Sequence, residues 1–339
     1  MPRINLNQPV AAAPPVDNDP LTLLAQRLRK GEVVPIIGNM LTYNLVLGGY
    51  EKLVALYLQN YLPGHALSPD LDLARLTQYY HIMGEDGPKL DVKAQREKFL
   101  DFLKNLYFSR IDTTTLPQTF LETVDAEFDD LSLSKLLERL GYAMIPTEMA
   151  NPWRILAEFP LPVYLTTCCH DLLQVALREA GKSPRTQICR WTDLRVESVF
   201  DGHYVPSKAE PLVYHLHGRD DYPESLVLTE NDYLEFLTKV TRNQGDNSTD
   251  VIPSKVREVL NASSLMLLGY DLRQWEFISL FWGLIKPRTR NYNSIVSLQL
   301  ELREFEQKYV QEYLRLYQFE VYQGQAIDHL GQLYERFQR

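Results

Sequence analysis

The feature that most constrains this fold is a recurring unit in which a short, almost wholly apolar run stops at a glycine or a cluster of small polar residues and gives way to a helical pattern. Val33 to Ile37 runs into Gly38, and Val163 to Thr166 into Thr167 and Cys168. Leu212 to Leu216 runs into His217 and Gly218, and Leu265 to Leu268 into Gly269. Such runs are too short for helices and too uniformly apolar for strands with one wet face, so they read as strands buried on both sides. The helical stretches between them are the crossovers that parallel strands require. The expected class is α/β, a parallel sheet with helices on both faces.

The rest of the chain extends this rhythm. Leu21, Leu24, Ala25 and Leu28 have helical spacing, with Gly31 as a C-cap before the first strand. A short helix over Trp153 to Phe159 precedes the second strand, and Asp171 to Glu179 reads as a helix. Val227 and Leu228 form a short extended piece, after which Thr229 and Asp232 resemble a capping box opening a helix from Glu230 to Leu237. An aromatic helix runs through Trp275, Phe277, Phe281 and Trp282. A strand over Ser294 to Leu298, a charged helix from Glu301 to Leu316, a strand over Phe319 to Tyr322 and a helix from Ala326 complete the pattern. Two segments differ. Residues 1–20 hold five prolines among Ala, Asn and Asp and read as a flexible tail. Residues from about Gly48 to Glu148 show helical spacings and scarcely a strand, as expected of a helical insertion after the first strand in a domain covering 21–339.

Charge and cysteine content exclude several functions. With 339 residues, 45% of them hydrophobic, the chain can bury a sizeable core. A formal net charge of -9 argues against coating nucleic acid, so no direct nucleic-acid binding is expected. No apolar run approaches the ~20 residues that span a bilayer, and no signal-peptide layout opens the chain, so a cytoplasmic protein without membrane partners is expected. The three cysteines, Cys168, Cys169 and Cys189, build neither a disulfide framework nor a pair of zinc knuckles, and no metal site is expected.

Chemistry is expected at the strand ends, where open α/β sheets bind ligands. In VVPIIGNMLT, Val33 to Thr42, the turn at Gly38 offers backbone N–H groups to a phosphate; it equally suits an ordinary strand-to-helix turn. In PVYLTTCCHDLL, the Thr166 and Thr167 hydroxyls can bind ribose or phosphate, while Cys168 and Cys169 can equally be read as small buried hydrophobes and Thr167 or Asp171 as the cap of the next helix. A nucleophilic Cys168 beside His170 is disfavoured because residues two apart at a strand end rarely face each other. In YHLHGRDD, His217 stands at the end of a strand as a candidate base, with His215 packed and Gly218 permitting a sharp turn or close approach to a ligand. In LMLLGYDLRQWEF, Gly269 repeats the layout and can admit a ribose, with Asp271 or Tyr270 to hydrogen-bond it; a buried strand followed by a capped helix accounts for the segment equally. The P-loop-like ALREAGKS, Ala176 to Ser183, lacks the first glycine and follows a helix, and is set aside.

Taken in order, VVPIIGNMLT, LAEFPLPVYLTTCCHDLL, VYHLHGRDDYPESLVLTENDYLEFL and SLMLLGYDLRQWEF resemble the bacterial sirtuin-like family of NAD-consuming anti-phage defence effectors. The resemblance implies a Rossmann-like domain with a helical insert, NAD as substrate with no metal, and cleavage of the nicotinamide–ribose bond. It also implies a homo-oligomer working beside an ATPase, an Argonaute-like protein or a sensor module. His217 matches the histidine of the family's Leu-His-Gly motif, and would be the catalytic base. Gly38 and Thr42 match the first glycine and the serine of the Gly-Ala-Gly-x-Ser loop, which Asn39 and Met40 interrupt. Thr166 and Thr167 match the start of the Thr-Thr-Asn-Tyr-Asp strand end. Cys168 stands at the position of the family's catalytic asparagine, Cys169 at its tyrosine and His170 at an aspartate; Asp171 retains a second acidic position. NAD contacts are thus expected at Gly38, Asn39, Thr42, Thr166, Thr167, Gly218, Gly269 and Tyr270, and catalysis at His217, Cys168 and Asp171.

Two readings remain open: an NAD glycohydrolase, and a non-hydrolysing sirtuin-like subunit that binds NAD or ADP-ribose or scaffolds a defence complex. A zinc-dependent protein deacetylase is excluded, because its four-cysteine zinc module cannot be built from three cysteines.

Overall fold

The computed structural model describes residues 19–65, 71–111, 116–142, 145, 151–192, 196–200, 202–242, 251–286, 296–300, 308, 312–314, 316 and 319–339. Residues 1–18 of the expected tail, and most of the expected charged helix over 301–316, lie outside them, while Pro20 already belongs to a helix. Among the described residues, seven strands form one sheet: β1 (Val33–Ile37), β2 (Val163–Thr166), β3 (Arg185–Ile188), β4 (Leu212–His215), β5 (Ser264–Leu268), β6 (Val296–Leu300) and β7 (Phe319–Gln323). Their spatial order is β3-β4-β2-β1-β5-β6-β7, and every pairing is parallel. This is a Rossmann-like α/β fold.

The central strand shows how sequence selects both faces. Along β1, Val33 and Ile37 enter one hydrophobic core while Val34 and Ile36 enter the other, as the two-residue side-chain period requires. The first core is built with helices α1 (Pro20–Lys30), α3 (Tyr50–Tyr61), α5 (Val92–Phe108), α7 (Leu133–Leu140), α8 (Pro152–Glu158), α9 (Leu172–Glu179) and α13 (Ala326–Gln338). The second is built mainly with α10 (Glu230–Arg242), α11 (Ser254–Ala262) and α12 (Trp275–Leu280). Pro35 lies in the middle of β1 although proline lacks a ladder donor. Its strand pairs with β5 along all five residues and with β2 only from Ile36 onward, so the missing N–H falls where β2 has not yet joined.

Between β1 and β2 the described residues contain helices and no strand. After α2 (Met40–Thr42) comes one π turn, then α3, α4 (Leu73–Met83), α5, α6 (Gln118–Glu127), α7 and α8. Asp72 caps α4 by accepting from Ala74 N, and Ser132 caps α7 by accepting from Lys135 N.

Most boundaries match the expected ones, and the exceptions have physical causes. Gly31 closes α1 in the left-handed conformation at φ 77°. The Thr229 and Asp232 capping box is present: Asp232 N–H donates to Thr229 Oγ1 at 3.2 Å and Thr229 N–H to Asp232 Oδ2 at 2.9 Å. Helix α10 continues past Leu237 to Arg242 because Val240 extends the buried stripe of Tyr233 and Phe236. Strand β4 ends at His215, so Leu216 and His217 already belong to a turn. Strand β3 was not expected; it is an edge strand with an exposed Arg185, and its sequence RTQI carries little apolar signal. The strand expected over Ser294 to Leu298 is found at Val296–Leu300, its first two residues lying outside the described ones.

Candidate functional site

The chain runs outward from β1 to β2 and then crosses to the other side through β5, so the topological switch point lies between β1 and β5. That is where open α/β sheets form ligand crevices. The two loops there interlock through their backbones. Gly38 N–H donates to Leu268 O at 2.8 Å, and Met40 N–H to Gly269 O at 3.2 Å. A Cβ on Gly38 would lie 2.3 Å from Gly269 O, and one on Gly269, at φ 73°, would lie 2.6 Å from Leu41 N. Both glycines are therefore required by each other's loop.

Two cavities flank this junction. The larger, about 370 Å³, is lined by Met40, Asn44, Gly49, Gly269, Tyr270 and Asp271 together with the start of α13. The smaller, about 60 Å³, collects the polar groups Asn39, Thr167, His217, Gln274 and Glu276 beside Cys169. Its remaining walls come largely from the helices between β1 and β2, through Tyr50, Asp72, Leu73, Phe99 and Leu103.

His217 is buried in this smaller cavity. Its Nε2 is 3.5 Å from Ser279 Oγ, its Nδ1 has no hydrogen-bond partner among the described residues, and its ring meets Tyr233 and Phe236 edge-on. Burial pushes its pKa down to about 3, so the imidazole is neutral at physiological pH. A neutral imidazole keeps one nitrogen free to accept a proton. His215 is packed, as expected. Its Nδ1 is 2.8 Å from Cys168 O, an acceptor only, so Nδ1 carries the proton and Nε2 accepts from Gln174 at 2.8 Å.

Gln274 and Glu276 are polar cavity groups that no sequence motif singles out, and the acidic one of the two is Glu276 at the start of α12. Its Oε1 accepts from Asn39 N at 3.0 Å, from Asn39 Nδ2 at 2.9 Å and from Thr167 Oγ1. Burial pushes its carboxyl up to about 7, against the downward pull of the Thr167 and Asn39 bonds. The signal was an acidic residue in a helix otherwise read as aromatic, at a position that faces inward.

The other expected site residues divide into two groups. Asn39 and Thr167 line the small cavity, and Thr167 Oγ1 also lies 3.2 Å from Tyr270 OH. Gly269 and Tyr270 line the large one. The remaining groups are occupied within the protein. Thr166 Oγ1 donates to Ile37 O at 3.1 Å and accepts from Cys168 N at 3.0 Å. Thr42 Oγ1 is 3.1 Å from His170 Nε2. Gly218, at φ 83°, is pressed against Ser225, whose carbonyl oxygen would lie 2.2 Å from an added Cβ. Asp171 stands at the start of α9 but caps nothing with its side chain; it forms a two-pronged ion pair with Arg219 at 2.9 and 2.7 Å.

Cys168 does not line either cavity. It is packed in the first core, its Sγ 4.0 Å from Ile37 O, and burial pushes its thiol up to about 12. The protonated thiol is a poor nucleophile. The neighbouring Cys169 is the one that lines the small cavity. Among the described residues no group of three or more His, Cys, Asp or Glu side chains is placed to hold a metal ion, and no helix is long and apolar enough to cross a membrane.

Comparison with known proteins agrees with this architecture. Residues 162–322, which include β2 through most of β7, match the SIR2-like domain family. A 124-residue stretch is 26% identical to the NAD(+) hydrolase ThsA of Enterococcus faecium; it spans 37% of this chain and only 22% of that protein. The parallel sheet and the switch-point crevice accord with the match to the SIR2-like domain family, and over the 124-residue stretch the chain is similar to an NAD(+) hydrolase.

Proposed function

We propose that this chain is an NAD glycohydrolase that cleaves the nicotinamide–ribose bond. The observation that carries the reading is His217: a buried, neutral imidazole with an unpartnered nitrogen, in a polar cavity beside the switch point of a SIR2-like domain. The C1′–N bond breaks with its electron pair passing to the pyridinium nitrogen, which gives neutral nicotinamide. Water bonds to C1′, and His217 accepts the proton that this water sheds as its oxygen becomes positively charged. The products are ADP-ribose, nicotinamide and a proton.

In this reading the nicotinamide and its ribose occupy the smaller cavity, and the adenosine end lies in the larger one against Gly269 and Tyr270. Thr167 and Asn39 contact the ribose between them, and Gly38 holds the loop that separates the cavities. At about 60 Å³ the smaller cavity has room for only a few waters. Productive binding therefore requires Tyr50, Asp72 and Leu73 to move outward, and residues 48–148 serve as a helical insert that gates the site. Assembly with further copies, or with an ATPase, an Argonaute-like protein or a sensor module, would supply that opening. The resulting loss of NAD would act in anti-phage defence within the cytoplasm.

One observation favours the alternative of a binding subunit without turnover: the position of the family's asparagine holds a thiol that faces the core. Incubating the purified chain with NAD, alone and with its genomic neighbours, separates the two. Free nicotinamide that disappears in His217→Ala supports the hydrolase, whereas NAD or ADP-ribose binding without nicotinamide release supports the binding subunit.

A further inference from the structure

Proton transfer at His217 leaves one part of the cavity without a task. A neutral, strongly desolvated imidazole is a weak base, and the bond it helps to break leaves positive charge on the ribose. A cavity suited to that reaction needs a negative group that does not have to reorganise when the charge appears. Glu276 meets that description. Oε1 accepts all three of its hydrogen bonds, from Asn39 N, Asn39 Nδ2 and Thr167 Oγ1, which leaves Oε2 without a protein partner among the described residues, in a side chain that lines the cavity. Glu276 and His217 are also joined through Ser279, whose Oγ is 3.2 Å from Glu276 O and 3.5 Å from His217 Nε2.

We propose that Glu276 is a second catalytic residue of this site, its Oε2 facing the ribose C1′ and stabilising the oxocarbenium-like charge while Asn39 and Thr167 hold Oε1. This rests on the hydrolase reading above. No covalent bond forms to the carboxylate. The electron pair of the breaking C1′–N bond goes to nicotinamide, Glu276 remains ionised throughout, and the proton of the attacking water goes to His217. The role differs from the one expected for Cys168, because it comes from a different loop and acts by charge rather than by an amide.

The titratable groups around Glu276 are Asp72 at the start of α4, His217 after β4, Cys169 in the cavity wall with Cys168 behind it in the core, Tyr43, Tyr50, Tyr233 on α10 and Tyr270 after β5. The tyrosines and both cysteines are pushed above their ordinary range by burial, and His217 far below its own. Asp72 is raised as well, but it is already held by Ala74 N and Trp275 N. Ionisation of Glu276, at about 7, is therefore the titration that sets the acid side of a rate profile.

The test measures nicotinamide release from NAD by wild type, Glu276→Gln, Glu276→Asp and His217→Ala between pH 5.5 and 8.5, with ADP-ribose affinity and thermal melting of each. Wild-type kcat should rise about thirtyfold across that range as the carboxylate ionises. Glu276→Gln accepts the same bonds from Asn39 and Thr167, so it should fold and hold ADP-ribose within about threefold, yet lose roughly 100-fold in kcat and the pH dependence. Glu276→Asp should keep the pH dependence with kcat lowered roughly tenfold by the shorter reach. A Glu276→Gln enzyme with wild-type kcat and pH profile would overturn the role of Glu276 and leave the hydrolase reading intact. So would a variant that loses activity only in step with ADP-ribose affinity and melting temperature. Wild type that releases no nicotinamide under any condition would overturn both.

Discussion

Asn39 holds Glu276 twice, donating to the same carboxylate oxygen from its backbone nitrogen at 3.0 Å and from its side-chain amide at 2.9 Å. The residue that interrupts the expected glycine loop thus anchors the acidic group of the site. The pairing ties the turn after β1 to the start of α12, across the switch point where the two loops already exchange backbone hydrogen bonds.

Asn39→Ala should therefore act through Glu276. Removing the amide leaves the carboxylate with fewer donors, which raises its pKa further and moves the acid side of the rate profile to higher pH. The loss of a buried charge-assisted bond should cost roughly 1.5–3 kcal/mol of stability. A pH–rate profile and a denaturant melt of the same variant check both.

The pH dependence of stability carries opposite signs for the two cavity residues. The folded pKa of Glu276, about 7, lies above its ordinary 4.5, so its contribution is fully present below pH 4.5 and is lost as pH rises through 7. His217 is depressed from 6.5 to about 3, so its contribution is present above pH 6.5 and is lost as pH falls toward 3. Glu276→Gln should therefore melt higher than wild type at pH 8.5 and show no such gain at pH 4.5. Equal melting shifts at both pH values would contradict the assignment.

Gly38→Ala tests the interlocked loops. The added methyl would lie 2.3 Å from Gly269 O and against the Tyr270 ring, so one of the two loops must shift. A stability loss on the order of 1–3 kcal/mol is expected, with ADP-ribose binding weakened because Tyr270 moves. Thermal melting and calorimetric titration measure the two effects.

Cys168 should be inert to thiol reagents. With its thiol pushed up to about 12 and its side chain in the core, it should resist alkylation at pH 8 in the native protein and react after denaturation. Replacement by Asn should cost roughly 1–3 kcal/mol through burial of an amide without partners, and should not raise NAD turnover. Peptide mapping after alkylation reads the first outcome, and melting with an activity assay reads the second.

The sequence made the sheet legible because buried parallel strands have a strong apolar signature. Four strand ends also marked the crevice, and His217, Thr167, Gly269 and Tyr270 all line its cavities. What stayed hidden depended on tertiary pairing. Glu276 was masked by Trp275 and Phe277, and nothing local tells that Asn39, far away in sequence, satisfies it. Asp171 reads in sequence as a helix cap or an acidic site residue, whereas its carboxylate is gripped by Arg219, 48 residues further on. Cys168 and Cys169 are neighbours in sequence, and only the turn after β2 decides which of them faces the cavity. Strand β3 escaped because an edge strand needs little apolar sequence to pair along one side.

The most direct measurement of the central claim is the rate of nicotinamide release from NAD by wild type and by His217→Ala, under conditions where both are folded and assembled with their genomic neighbours. The account predicts steady release by wild type and a loss of roughly 100-fold or more in the variant. Equal release by the two proteins, or binding of NAD by wild type with no nicotinamide formed, would contradict it.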